Sequence, residues 1–304
     1  MEKELSIVIP VYRGAGSIRR LVEQLQLELQ GYQFEIVLVN DGSPDNSHPI
    51  CLSLQREFEN ITYISLRRNF GEFNAVMAGL NHVTGLYAVI IDDDFQNPPS
   101  EILKLVDKAK EGDFDVVYSY YTEKKHAAYR NLGSQLVNYL TTYLLKKPKD
   151  LYLSSFKLIH FDVVNEIIRY QGGYPYIDGL IFQVTNHIGK VEVAHHERSE
   201  GESNYTLRKL ISLFLTILFG YSLLPLRVIF LLGSISVIFA LCYFFLYFTN
   251  VINHWGSPVV IFLCGVLMCS LAIVGEYIGK SYMAINGQPQ FSIRTLKKRS
   301  HAAE

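Results

Sequence analysis

Three consecutive carboxylates, Asp92, Asp93 and Asp94, follow the apolar run Val89-Ile90-Ile91 and precede Phe95-Gln96-Asn97-Pro98-Pro99. In extended backbone, residues two apart project to the same side, so Asp92 and Asp94 converge. Packed carboxylates repel one another unless a cation joins them. Oxygen ligands alone favour a hard ion, Mg²⁺ or Mn²⁺, which keeps positions open for substrate phosphates. A polar turn stopped by two prolines is the alternative reading of the same residues. The run before the carboxylates has the composition of a parallel strand covered on both faces. The carboxyl end of such a strand is where open α/β sheets bind ligands.

The surrounding pattern supplies such a sheet. Strands are expected at Leu5 to Val11, Glu35 to Val39, Ile61 to Leu66, Tyr87 to Ile91 and Asp115 to Tyr118. Between them Ile18, Leu21, Val22, Leu25 and Leu29 recur at helical spacing, and Ser47 to Phe58 and Phe70 to His82 read as helices. Ser100 is expected to cap a further helix with a core face of Ile102, Leu105 and Val106. This alternation predicts an α/β fold, a Rossmann-like, mainly parallel sheet with helices on both faces. Ala127 to Leu145 reads as a helix that opens with Arg130 and Ser134. Leu153 to Ile159 and Lys190 to His195 read as strands, with a helix near Phe161 to Tyr170 between them.

The chain has 304 residues, enough for about two structural units. A mean hydropathy of +0.14 is high for a wholly soluble enzyme, and the apolar excess lies in the last third. Leu207 to Tyr221 has the character of an interfacial segment. Leu223 to Phe248 and Pro258 to about Ile278 are each long enough to cross a bilayer core, which takes about 20 residues. The link between them has no Lys or Arg, whereas the tail carries Arg294, Lys297, Lys298 and Arg299. The positive-inside rule then puts both outer flanks in the cytoplasm. A buried core hairpin is the alternative. Cys51, Cys242, Cys264 and Cys269 lack metal-ligand spacing and fit a reducing compartment. The amino terminus runs directly into a strand, so no signal peptide is expected. A net charge of −1 gives no case for nucleic acid as a partner.

Further motifs stand in order along the chain: Ile9-Pro10-Val11-Tyr12, Asn40-Asp41-Gly42-Ser43, Arg68-Asn69-Phe70-Gly71, His82-Val83-Thr84-Gly85, the acidic turn, and Arg198-Ser199-Glu200-Gly201-Glu202-Ser203-Asn204-Tyr205. With the paired spans, this order resembles the family 2 glycosyltransferases of GT-A fold. Within them it is similar to the branch that moves a sugar from a nucleotide onto a polyprenyl phosphate, which includes the dolichyl-phosphate mannose synthases and the undecaprenyl-phosphate glucosyl- and formamido-arabinose transferases. The resemblance implies a GT-A domain over residues 1–204, an interfacial segment over 205–222, two transmembrane helices over 223–281 and a cytoplasmic basic tail over 282–304. It implies an inverting, Mg²⁺- or Mn²⁺-dependent enzyme of the bacterial inner membrane, with its catalytic domain in the cytoplasm. The substrates would be a nucleotide-sugar, UDP-sugar favoured, and undecaprenyl or another polyprenyl phosphate among the membrane lipids. Relatives often form homo-oligomers.

By the same resemblance Pro10 and Tyr12 pack the base, and Asp41 accepts hydrogen bonds from base or ribose. Asp94 ligates the metal, Asp92 binds it or the ribose, and Gln96 adds a neutral oxygen. Arg130 and Ser134 match acceptor-phosphate positions, Arg198 reaches the phosphates, and Asp150 orients an acceptor-side group. Asp94, Asp150 and Arg130 are thus the expected catalytic set. Asp178 is a weaker candidate that fits a turn or helix cap equally well. His195 and His196 read as structural, because adjacent strand residues face opposite ways, and His82 reads as a helix-end residue.

The chain departs from the family pattern at three places. Arg13-Gly14 stands where Asn-Glu is usual, so a carboxylate expected near the nucleotide is missing. Asp93 replaces a small residue and either adds a ligand or faces solvent. Ser119, Tyr120 and Tyr121 stand where an arginine for the acceptor phosphate is common, leaving Lys124 or Lys125 as substitutes that act as point charges. Two rival readings remain: a transferase that extends a lipid-linked glycan or polysaccharide, and a non-catalytic membrane scaffold. Processive members carry a Gln-x-x-Arg-Trp motif, whereas the single tryptophan here, Trp255, lies in the link between the spans.

Overall fold

The computed structural model describes residues 3–121, 142, 147–148, 150–173, 175–194, 196, 215, 218–219, 222–249, 257–286 and 289–298. The chain folds as two compact units, Met1–Asn204 with Gln288–Glu304, and Tyr205–Gly287.

The first unit is built on an eight-stranded sheet. Its strands are β1 (Leu5–Val11), β2 (Phe34–Asn40), β3 (Ile61–Leu66), β4 (Tyr87–Ile90), β5 (Val116–Tyr120), β6 (Lys157–His160), β7 (Ile188–Glu192) and β8 (Ile293–Lys297). They lie in the order β7-β5-β6-β4-β1-β2-β3-β8. The pairs β1–β2, β1–β4, β2–β3 and β5–β7 are parallel. β6 runs antiparallel between β4 and β5, and β8 antiparallel along β3. Ile7, Val8, Ile9, Val37, Leu38, Val39 and Val89 are fully buried, as a strand covered on both faces requires.

Helices α1 (Ile18–Glu28), α2 (Ser47–Glu57), α3 (Glu72–Leu80) and α4 (Ile102–Gly112) follow β1 to β4. The buried stripes of α1 and α4, Ile18, Leu21, Val22 and Leu25, and Ile102, Leu105, Val106 and Ala109, are the apolar positions at helical spacing. The small residues of α3 let it lie close on the sheet: a Cβ on Gly79 would fall 2.4 Å from Val8 Cγ1. Helices α5 (Phe161–Ile167) and α6 (Ile177–Val184) complete this unit.

Several boundaries differ from expectation. β4 ends one residue earlier, before the acidic turn. Ser100 lies inside a 3₁₀ turn, Pro99–Glu101, that leads into α4, rather than capping it. The segment read as a strand from Leu153 bends at Ser155, and β6 begins only at Lys157. β7 starts two residues before the expected Lys190 and ends at Glu192. α6 was not expected. The basic tail also holds a strand, β8, which covers the outer edge of β3.

The second unit contains α7 (Leu224–Phe248) and α8 (Ser257–Ile285). Within them Leu224–Tyr243 and Phe262–Tyr282 are long and apolar enough to cross a membrane. Their large apolar side chains face outward, with Phe230 77% and Phe248 79% exposed, so neither is the buried core helix of the alternative reading.

Candidate active site

Loops from five elements meet at the carboxyl edge of β1 to β4, and each is tied to a neighbour. The turn after β1 is held by three successive backbone N–H groups. Arg13 N donates to Ser43 Oγ (3.2 Å), Gly14 N to Ser47 Oγ (3.0 Å) and Ala15 N to Asp45 Oδ2 (3.2 Å). Ser47 Oγ donates in turn to Asp45 Oδ1 at 2.6 Å. Partial burial alone would push the Asp45 carboxyl up, but these bonds outweigh it and hold it below its ordinary value. The turn therefore does not offer these N–H groups to a phosphate, as a glycine-rich dinucleotide loop does. Tyr12 stands 41% exposed at its start, beyond the half-buried Pro10 of β1.

Asp41, at the end of β2, is 2% exposed. Its two carboxylate oxygens accept from Phe70 N (2.7 Å) and Gly71 N (2.9 Å). Burial raises its carboxyl above the ordinary value in spite of both bonds. Gly42 has φ +59, and a Cβ there would fall 2.5 Å from the carbonyl carbon of Arg68. The Asp-Gly pair thus secures the turn between β3 and α3. The contact with base or ribose expected of Asp41 is a separate role, since each carboxylate oxygen keeps acceptor capacity beyond its backbone bond.

The acidic turn is fastened from three sides. Asp92 Oδ2 accepts from Ser155 Oγ at 2.7 Å, and Asp94 Oδ1 accepts from Gln96 N at 3.1 Å. The Gln96 carbonyl accepts from His196 N at 2.9 Å. Asn97 Oδ1 accepts from the Tyr121 hydroxyl at 2.7 Å, and that hydroxyl lies 3.2 Å from Ser154 Oγ. Between the carboxylates and these anchors Phe95 is left-handed (φ +60), a conformation that costs a bulky residue about 1 kcal/mol or more. Its buried ring, with the Arg20 guanidinium 4.2 Å from the ring centre, holds it there.

One titratable group went unread in the sequence: Glu72, the first residue of α3, whose carboxyl feels the charges of the acidic turn. Desolvation in the cleft, then the charges of Asp92, Asp178 and Asp94, raise its carboxyl to about 7 against the opposing pull of Lys157. The available signal was its place directly after the Arg68-Asn69-Phe70-Gly71 motif. Deeper in this region Lys157 and Asp178 form a buried ion pair, and the Tyr118 hydroxyl donates to Asp178 Oδ1 at 2.8 Å. Asp178 is thus the counter-ion of Lys157, in the first turn of α6.

Asp150 is placed differently from expectation. Its side chain is 72% exposed and ion-paired with Lys190 of β7, which holds its carboxyl below the ordinary value. The contact that its segment makes with the acidic turn comes from Ser155. Lys124, Lys125, Arg130, Ser134, His195 and Arg198 lie outside the described residues, as do the helix expected from Ala127 and most of the interfacial segment.

Among the described residues no three His, Cys, Asp or Glu side chains form a complete metal cage. Asp92 and Asp94 fit the other mode of divalent binding, in which one or two carboxylates hold an ion whose remaining ligands are water and substrate phosphates. The negative charge that raises Glu72 is the charge such an ion offsets.

The family model for glycosyl transferase family 2 matches residues 6–168, more than half of the chain, which therefore belongs to that family. Among solved structures, glucosyl-3-phosphoglycerate synthase from Mycobacterium tuberculosis, in complex with Mn²⁺, UDP-glucose and phosphoglyceric acid, is similar over 71% of this chain and 78% of its own, with TM-score 0.55 and 16% identity. The same enzyme with Mn²⁺, UDP and glucosyl-3-phosphoglycerate gives TM-score 0.54 over the same shares. A further mycobacterial protein is 17% identical over 71% of this chain and 73% of its own, with TM-score 0.54. The fold is GT-A.

Proposed function

We propose that this glycosyltransferase moves a sugar from a UDP-sugar to a polyprenyl phosphate at the cytoplasmic face of a bacterial inner membrane, with inversion at the anomeric carbon. The observation that carries this reading is that the chain bearing the acidic turn also bears α7 and α8, two helices apolar and long enough to cross a bilayer. Their connectivity agrees with it. The chain leaves the first unit after Asn204 and rejoins it at Gln288, before β8, so any crossing of a membrane is made an even number of times. The donor follows from the family and from the UDP and UDP-glucose bound by the related fold.

In this reading Tyr12 and Pro10 pack the base, and Asp92 and Asp94, with Gln96 beside them, hold Mg²⁺ or Mn²⁺. The bound cation takes up charge that grows on the departing diphosphate. Ser155 orients Asp92, and Asp41 fixes the loop that presents Glu72. A phosphate acceptor is already ionised near neutral pH, so no residue has to remove a proton. One phosphate oxygen bonds to the anomeric carbon as the bond from that carbon to the diphosphate oxygen breaks. The site then needs groups that bring two anions together, a role we assign to Arg130, Ser134, Arg198 and Lys124. Asp150 has no part in this scheme.

The related structures hold phosphoglyceric acid, which favours a second reading with a small phosphorylated acceptor. The test is competition between undecaprenyl phosphate and 3-phosphoglycerate for labelled UDP-sugars, with purified full chain in detergent. A butanol-extractable glycolipid of inverted configuration is expected. Label appearing only in a water-soluble product would establish the second reading, and retained configuration would contradict the single displacement.

A further inference from the structure

Two departures from the family pattern, Gly14 and Asp93, meet in space. Asp93 is half-buried, and its carboxylate is turned toward the β1–α1 turn. A Cβ on Gly14 would fall 1.9 Å from Asp93 Oδ2, 3.0 Å from Asp93 Cγ and 3.0 Å from Val11 Cγ1. The bare Cα of Gly14 is therefore the room that the Asp93 carboxylate occupies. A side chain at position 14 requires the Asp93 carboxylate to swing away from this placement, because a Cβ does not approach another heavy atom to less than 3.0 Å. The turn has little freedom to retreat, since Arg13, Gly14 and Ala15 are each bonded through N–H to the segment Ser43 to Ser47. The acidic turn is likewise held, through Asp92 to Ser155 on one side of Asp93 and through the Gln96 carbonyl to His196 N on the other.

We propose that Gly14 and Asp93 are a matched pair. A carboxylate is delivered to the β1–α1 turn from the acidic turn, into the space that a side chain at position 14 would take. Asp93 is then a positioning residue of the donor site rather than a third metal ligand, and it locks the turn bearing Asp92 and Asp94 to the turn bearing Tyr12. The packing half of this inference stands on geometry alone, whereas its donor half rests on the proposed function.

The experiment is a double-variant cycle in the full chain in detergent, with two readouts. In thermal unfolding Gly14→Ala is expected to lower the melting temperature by about 4 °C in the wild-type background and by clearly less beside Asp93→Ala, where only the 3.0 Å approach to Val11 Cγ1 remains. Equal shifts in both backgrounds would overturn the pairing. In Mn²⁺-dependent UDP binding Asp93→Ala is expected to weaken affinity about 10-fold. The exchange variant Gly14→Glu/Asp93→Ala is expected to return it to within about 3-fold of wild type. Both variants lack the clash, so the comparison does not depend on a strained protein folding. Failure of the exchange to recover binding would overturn the carboxylate swap. A wild-type chain that binds no UDP would instead refute the donor reading, and the unfolding cycle would still decide the pairing.

Discussion

The two ends of the parallel sheet treat their carboxylates in opposite ways. At the amino edge Glu35, 1% exposed, is enclosed by partners of its own chain. Lys3 Nζ lies 2.8 Å from Oε2, Ser6 Oγ donates at 2.7 Å, and Thr84 donates through both N (2.7 Å) and Oγ1 (2.8 Å). Burial alone would raise this carboxyl, yet the bonds from Lys3, Ser6 and Thr84 outweigh burial and depress it. At the carboxyl edge Glu72 is raised to about 7, by desolvation first and then by the charges of Asp92, Asp178 and Asp94. One end has its charge balanced internally and serves stability. The other keeps excess negative charge at a cleft, which favours a cation and the phosphates it brings.

The contrast can be broken at either end. The largest effect on stability is expected from Glu35→Ala, which strands Lys3, Ser6 and the Thr84 amide and costs about 3 kcal/mol in denaturant unfolding at pH 7. Because the folded pKa of Glu35 lies below its unfolded value, this contribution is present above pH of about 4.5 and is lost as pH falls through the depressed value. The gap between wild type and variant should therefore narrow in acid, and a constant gap would refute the role of the charge. A smaller, purely functional effect is expected from Ser155→Ala. Loss of one hydrogen bond to Asp92 should lower kcat/KM about 10-fold, or ~1.4 kcal/mol, with the melting temperature little changed. The smallest change, of opposite sign, belongs to Glu72→Gln. A carboxyl raised in the folded state favours folding below its unfolded pKa and loses that contribution as pH rises through about 7. Metal-free Glu72→Gln should accordingly be more stable than wild type at pH 8 and equal to it at pH 4, as read by melting temperature. A loss of stability at pH 8 would show that the two ends are alike.

How far the sequence foretold this arrangement depended on the kind of signal. The strands from Leu5 to Ile90 and the stripes of α1 and α4 were legible because each has one dominant period. The acidic turn was legible because Asp92 and Asp94 end such a strand. β8 was hidden because Arg294 and Lys297 read as a charged tail, although lysine on an edge strand is a common defence against further pairing. α6 was hidden because it is short and opens with Asp178, whose partner Lys157 lies on another element. The partner of Asp150 was not legible because sequence position does not say which way a loop side chain turns, and here it turns to Lys190. Asp41 was found as important, but its bonds to Phe70 and Gly71 are long-range contacts that a local Asp-Gly-Ser motif does not reveal. The match of Gly14 to Asp93 was visible only as two separate departures.

The most direct test of the central claim is glycolipid formation from undecaprenyl phosphate and UDP-sugars with Mn²⁺, by the full chain and by Asp94→Ala, with and without a chelator. A cation held at the acidic turn predicts a loss of about 10³-fold in the variant, a comparable loss in the chelated wild type, and no further loss when the two are combined. Product formed at an undiminished rate by Asp94→Ala, or by the chelated enzyme, would contradict it.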